Sequence, residues 1–432
     1  TPMRILTISA YYPPYSYGGY EIRVSNIMDA LAARGHELCV LTTKPDPTMK
    51  AAHTDFAYPV RRVLHGASRK MRFPDRLTTH RLTHGIGVGL VFLREIHNNM
   101  RDLAQVERQF NAFKPDLIYL GHFMPLSQEL LPFLAQQNLP IIVDEGYKSL
   151  IVAIQERSLW RRFLTEYSEQ NPFQRLIKRS FARMVGLFSH GRMQQEWRWP
   201  IIHTFFNSRL NERNAEEVGV PLARAEVIHS GIDISFFSFQ RAKPFGNPLT
   251  LLLPGRIEQN KGQLEAVELC SMLNARGIPC TLTIVGDRWK EAYAKQVEAQ
   301  VINMNPNEAV RILPMQSRRE MVELYHQTDI CLFLSHHKTG FSRVPLEAMA
   351  CGSLVFSYGY EGSDEILRDG ENGFLIPEGD ISTAADLISL LLNEPETVAR
   401  VIQQARNDIE KNHSLGIYIE KIEDFLNRTL IC

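Results

Sequence analysis

Apolar residues along this chain fall into short unbroken runs, and between the runs they recur at helical spacing. Met3–Ala10 is the first run and suits a strand buried on both faces, as a parallel sheet requires. The turn Tyr11–Gly19 follows, with Pro13, Pro14 and the pair Gly18-Gly19. Val24, Ile27, Met28 and Leu31 then predict a helix that Gly35 stops, and Leu38–Thr42 is the next strand. Further strands are predicted over Asp116–Leu120, Pro140–Val143, Ile201–Phe206 and Val227–His229, and helices over Gly87–Phe113, Pro125–Gln137 and near Ser208–Val218. Ala51–Gly85 has no clear period and reads as loops around short strands. Ser149–Arg198 is basic, amphipathic in places and rich in aromatic residues.

From Leu249 onward strand and helix alternate almost without interruption. The strands are Leu249–Leu253, Thr281–Val285, Val310–Leu313, Ile330–Leu334 and Leu354–Ser357. Helices fall near Gln263–Ala275, Trp289–Ile302, Arg318–His326, Val344–Cys351 and Ser382–Leu392, with a last amphipathic helix over Ile417–Leu430. Such alternation means βαβ units and a parallel sheet, hence the α/β class. At 432 residues the chain exceeds one ordinary core, so two or three domains are expected. Phe239–Pro248, with two prolines, a glycine and basic residues, reads as a linker. It divides residues 1–238 from 249–412, and 413–432 form the closing helix.

Composition narrows the class. With 44% apolar and 22% charged residues, and 48 basic against 48 acidic, this is a globular chain with no net charge. No stretch nears the ~18 uninterrupted apolar residues of a membrane span. No signal-peptide pattern opens the chain, so the expected location is cytoplasmic; Thr1 and Pro2 read as additions ahead of Met3. The six cysteines are scattered without CxxC spacing, which argues for reduced buried thiols rather than disulfides or zinc. Charge is uneven along the chain. Arg61–Arg101 holds nine Arg/Lys against Asp75 and Glu95, and Ile151–Arg213 holds eleven against five glutamates. A basic first half points to an anionic acceptor or membrane surface, or only to counter-charge against the acidic second half.

The candidate chemistry sits at strand–loop–helix joints. Thr339–Gly352 links the strand Ile330–Leu334 to a short helix, and a helix N-terminus offers free N–H groups and a positive dipole end to an anion. Glu347, about one turn inside, is placed to accept from a pair of ribose hydroxyls; the plainer reading is a solvated helix residue. Gly255–Gly262 carries Arg256 and Lys261, five positions apart, able to reach one diphosphate by a fork and a point charge, or to be ordinary surface cations. Gly18-Gly19 opens another helix, though no G-x-G-x-x-G is present. His122 stands at a strand's carboxyl end, where α/β folds gather ligands. Asp144-Glu145 either contact an acceptor or cap the following loop. His336-His337 is a poor metal site, and no Asp-x-Asp is present.

Several of these stretches resemble retaining glycosyltransferases of family 4. The signature there runs glutamate, Gly-Phe-Gly, then Leu-Glu-Ala-Met-Ala; Glu347 matches its second glutamate, while Thr339 replaces the first and Ser342 the second glycine. Arg256, Lys261 and Gly262 are similar to its Gly-Arg-Leu…Lys-Gly motif. Gly18, Gly19, Glu21, Arg34, Gly35 and His36 resemble its opening pattern, and Ser230-Gly231-Ile232-Asp233 its Asn-Gly-Val-Asp turn. The resemblance is loosest over 51–82 and 149–200. It implies the GT-B architecture: two Rossmann-like doubly wound parallel-sheet domains facing across a cleft, acceptor on the first, donor on the second, the last helix crossing back.

The implied activity is hexosyl transfer with retention, from a nucleotide-diphosphate sugar to an acceptor hydroxyl, without metal or other cofactor. A UDP-sugar is favoured over GDP- or ADP-sugars. Catalytic roles would fall on His122, Arg256 and Lys261. Donor contacts would come from Gly18, Gly19, Gly286, Thr339, Gly340, Phe341, Ser342, Arg343, Val344 and Glu347, and acceptor contacts from Asp144 and Glu145. Expected partners are the nucleotide sugar, a glycan, lipid or small-molecule acceptor, and peripherally the anionic inner face of a membrane, but no nucleic acid. The alternatives are an epimerase or hydrolase on the same fold, or, given Thr339, a silent nucleotide-sugar binder.

Overall fold

The computed structural model describes residues 2–15, 19–45, 55–66, 81–127, 129–146, 148–155, 160, 172–194, 199–240, 244–246, 248–304, 309–338 and 340–430. Two compact units emerge. The first comprises Thr1–Asn207, Asn211–Val227 and Ile422–Cys432, the second Ser208–Leu210 and Ile228–Lys421. The division falls at Val227, ahead of the linker read at 239–248, because Ile232 and Phe237 already pack with Leu252 and Phe333 in the second unit's core. Phe245, inside that linker, lies partly buried against the same unit.

Among the described residues of the first unit, seven strands form one parallel sheet: β1 Arg4–Ile8, β2 Glu37–Thr43, β3 Val60–Leu64, β4 Leu117–Leu120, β5 Ile141–Glu145, β6 Ile202–Phe206 and β7 Arg224–Val227. Their order is β3-β2-β1-β4-β5-β6-β7. Ile5, Leu6, Ile8 and all four residues of β4 are buried, so the central strands meet apolar neighbours on both faces. The order reverses between β1 and β4, which leaves a crevice at their carboxyl ends. Two expectations shift here. The helix read over Pro125–Gln137 is only Leu130–Leu134, a run buried on every side whose periodicity cannot mark its ends. The strand read at Val227–His229 lies earlier, at Arg224–Val227, a half-buried edge whose alternation of polar and apolar residues hides it.

The second unit carries a six-stranded parallel sheet among the described residues: β8 Leu249–Pro254, β9 Cys280–Val285, β10 Val310–Leu313, β11 Ile330–Phe333, β12 Leu354–Ser357 and β13 Phe374–Leu375. The order β10-β9-β8-β11-β12-β13 reverses between β8 and β11. Helices Gln263–Ala275 and Val344–Cys351 start and stop where the sequence pattern places them. Pro395–Asn412 is a helix that reading passes over, although Val398, Val401, Ile402, Ala405 and Ile409 are all buried at helical spacing. Among the described residues, Cys39, Cys270, Cys280, Cys331 and Cys351 are free and buried, and no helix is long and apolar enough to cross a membrane.

Candidate active site

The second unit's switch point brings two predicted segments together. The loop after β8 runs Gly255–Gly262 and the loop after β11 runs from Leu334 to Arg343. They are stitched by hydrogen bonds: the His336 N–H donates to the Asn260 carbonyl at 2.9 Å and the Ser335 hydroxyl to the same carbonyl at 3.3 Å. Gly262 adopts φ +71°, and a Cβ there would lie 2.5 Å from the Leu334 Cβ. Gly286 closes the other flank. Its Cβ would sit 2.0 Å from the Gly255 carbonyl oxygen, so only glycine lets the ends of β8 and β9 come this close beside Arg256.

Within this frame Lys261 reaches inward. Its Nζ lies 2.7 and 2.8 Å from the two carboxylate oxygens of Glu361 and 3.5 Å from the Ser335 hydroxyl. Arg256 takes a different position: it stacks over the Trp289 ring at 4.5 Å, stands 3.4 Å from Glu258 and is half exposed. One predicted cation is thus enclosed and the other open to solvent at the same joint.

The helix Val344–Cys351 has Arg343 at its N-cap, whose side chain makes no cap bond; the Ser342 hydroxyl accepts from the Val344 N–H instead, and Pro345 contributes no N–H. Glu347 is not the solvated residue of the plainer reading. It accepts from the Tyr325 hydroxyl at 3.3 Å and lies 3.5 Å from Arg343. Burial pushes its carboxyl up, against the opposing pull of the Arg343 and Arg318 guanidiniums and the Tyr325 hydroxyl. Phe341 stacks on His229 with ring centroids 5.4 Å apart, and Ser342 N–H donates to the Glu361 carbonyl at 3.0 Å. Gly340 takes φ +99°, and Val344 N–H faces the Ser342 hydroxyl at 3.4 Å. His336 bridges Glu265 and Glu378 at 2.6 and 2.7 Å; burial pulls its imidazolium down, but the two carboxylates outweigh that and hold it above its ordinary range. Thr339 lies outside the described residues.

The first unit has its own switch point, and His122 stands in it. His122 Nδ1 is 3.1 Å from Glu21, and the ring packs edge-on between Tyr11 and Tyr20. A carboxylate partner favours the hydrogen on Nδ1. Gly19 opens the helix Gly19–Ala33, and a Cβ there would meet nothing within 4 Å among the described residues, while Gly18 lies outside them. Asp144 and Glu145 are both turned inward. Asp144 is buried and bonded to Arg23 and to the Tyr119 hydroxyl; burial pushes its carboxyl up, partly offset by these partners. Glu145 accepts from the Ser149 and Leu150 N–H groups at 3.1 and 2.7 Å, a capping contact at the start of the helix Ser149–Gln155.

Sequence reasoning missed Glu361, Tyr325, Arg318 and His229. Tyr325 and Arg318 were legible only as members of a helix. Glu361 stands 100 positions from Lys261, and its one local signal is a glycine-bearing turn.

Residues 235–408 match the family described as glycosyl transferases group 1. The matched glycosyltransferase group 1 region lies within the second unit. Among curated relatives, glycogen synthase of Mycobacterium tuberculosis (strain CDC 1551 / Oshkosh) is 24% identical over 408 residues, 94% of this chain and 89% of its own. Sucrose-phosphate synthase from Thermosynechococcus elongatus superposes with a TM-score of 0.68 at 18% identity, over 99% of each chain. HepE of Anabaena, solved in complex with UDP-glucose, superposes at 0.64 and 17% identity, over 99% of this chain and 100% of its own. The two parallel-sheet α/β units are those of the GT-B glycosyltransferase fold.

Proposed function

We propose that this glycosyltransferase transfers a hexose from a nucleotide-diphosphate sugar, UDP-sugar first, to the hydroxyl of a glycan, lipid or small-molecule acceptor, with retention and without metal. The observation that carries the reading is the second unit's switch point. An enclosed lysine, an exposed arginine and a helix N-terminus sit on two loops tied to each other. Those are the groups that neutralise a departing diphosphate. Glu347 accepts the ribose hydroxyls, and Thr339, Gly340, Phe341 and Ser342 form the sugar side. His122, its Nδ1 hydrogen favoured by Glu21, contacts the transferred sugar. The leaving diphosphate takes the acceptor's proton, so no separate base is required. The HepE complex with UDP-glucose supports the choice of base.

The membrane part of the reading rests on the helix Pro172–Phe188. Leu176, Met184, Leu187 and Phe188 are exposed on it, Leu187 by 79%, and Arg179 and Arg183 are exposed among them. An apolar face interleaved with arginines suits an anionic lipid surface.

A transfer assay with UDP-, GDP- and ADP-sugars tests the function. Glycoside formation with the anomeric configuration kept is expected. Arg256→Ala and Lys261→Ala should each lower kcat/KM by ~3 kcal/mol in transition-state stabilisation. Sugar release without acceptor would mark a hydrolase, isomerised donor an epimerase, and binding without turnover a silent binder.

A further inference from the structure

In the structure Lys261 is already neutralised. Glu361 holds it through both carboxylate oxygens, at 2.7 and 2.8 Å, with the two side chains only 15% and 12% exposed. A pair this enclosed is not screened as surface pairs are. The backbone is bent to make it. Glu361 adopts φ +53°, a left-handed conformation that disfavours every residue but glycine and a few with short polar side chains. Strain of this kind persists where the surroundings over-determine it. They do so here: the Glu361 carbonyl accepts from Ser342 N–H, and Phe341 lies 2.5 Å from where a Gly362 Cβ would be. The carboxylate is therefore aimed by the same turn that braces residues 341–342.

We propose that Glu361 is the resting counter-ion of Lys261, and that an incoming diphosphate takes the lysine from it by exchange. The inference rests on the reading of Lys261 as a diphosphate ligand. A diphosphate must break the Lys261–Glu361 pair to bind, and the carboxylate stands ready to re-form it. Glu361 thereby sets the residence of the bare nucleoside diphosphate left after transfer, product release being a slow step in many enzymes. A lysine without this partner would hold the product more firmly.

Calorimetry of UDP, GDP and ADP with the full chain tests the exchange. Glu361→Gln removes the charge and keeps the shape. Glu361→Gly removes the charge and relieves the left-handed backbone, which offsets part of the cost of leaving Lys261 unpaired and guards against misfolding. Both variants should bind the preferred diphosphate about tenfold tighter, the scale of one charge-assisted hydrogen bond no longer in competition. The gain should vanish when Lys261→Ala is added, which a merely structural role of Glu361 does not predict. If wild type binds a diphosphate through Lys261 but neither folded variant binds it more tightly, the exchange is overturned and the diphosphate site stands. If wild type binds none of the three, both fall.

Discussion

His413 is 9% exposed at the end of the helix Pro395–Asn412, with its ring centroid 5.9 Å from that of His229. Burial, and then the neighbouring His229, lower its pKa from 6.5 to about 4. The sign follows from linkage. Between pH 6.5 and 4 the unfolded chain takes up a proton that the folded one refuses, so stability is full above 6.5 and falls as pH drops toward 4. The loss amounts to about 3 kcal/mol, and His413→Gln should flatten that part of a thermal-midpoint-versus-pH curve. Glu145 gives a second residue-scale outcome: Glu145→Ala should cost ~1–2 kcal/mol through the uncapped Ser149–Gln155 helix, with nucleotide binding unchanged by calorimetry. Positions that depend on local spacing were legible at this scale. Arg256 and Lys261 lie where their motif places them, at the carboxyl end of β8. Roles that depend on a distant partner were not: nothing near Asp144 in sequence announces Arg23, and nothing near Lys261 announces Glu361.

Among elements, the helix Pro172–Phe188 turns Phe181 and Val185 inward, where Phe181 meets Phe92 and Trp160, and leaves Leu187 and Phe188 outside. Sedimentation with phosphatidylglycerol-containing vesicles should show binding that weakens as salt rises. Leu187→Glu with Phe188→Glu should reduce it by about tenfold or more, as expected for apolar groups no longer inserted. Equal sedimentation of the double variant and wild type would remove the membrane reading. The strand ends allow a sharper test. Gly286→Ala places a methyl against the Gly255 carbonyl, and the resulting shift should destabilise the second unit by about 1–3 kcal/mol or more, read as a lowered thermal midpoint. Helices with apolar stripes and glycine stops, such as Gln263–Ala275, were legible from the chain. The short helix Leu130–Leu134 was not, because an all-buried run has no polar face to mark its period.

For the whole molecule, strand–helix alternation was enough to read parallel sheets, but not their order. Order builds the candidate site, since the reversal between β8 and β11 is what sets the loop Gly255–Gly262 beside Leu334–Arg343. Two segments about 75 positions apart in sequence, Asn260 and Ser335, become neighbours only through that crossover. The central claim is that a nucleotide diphosphate binds at this switch point. A crystal structure of the chain with UDP bound tests it most directly. The account predicts phosphate oxygens within about 3 Å of the Lys261 Nζ, near Arg256 and the first turn of Val344–Cys351, with the Glu361 carboxylate displaced. Diphosphate bound elsewhere, with the Lys261–Glu361 pair intact, would contradict it.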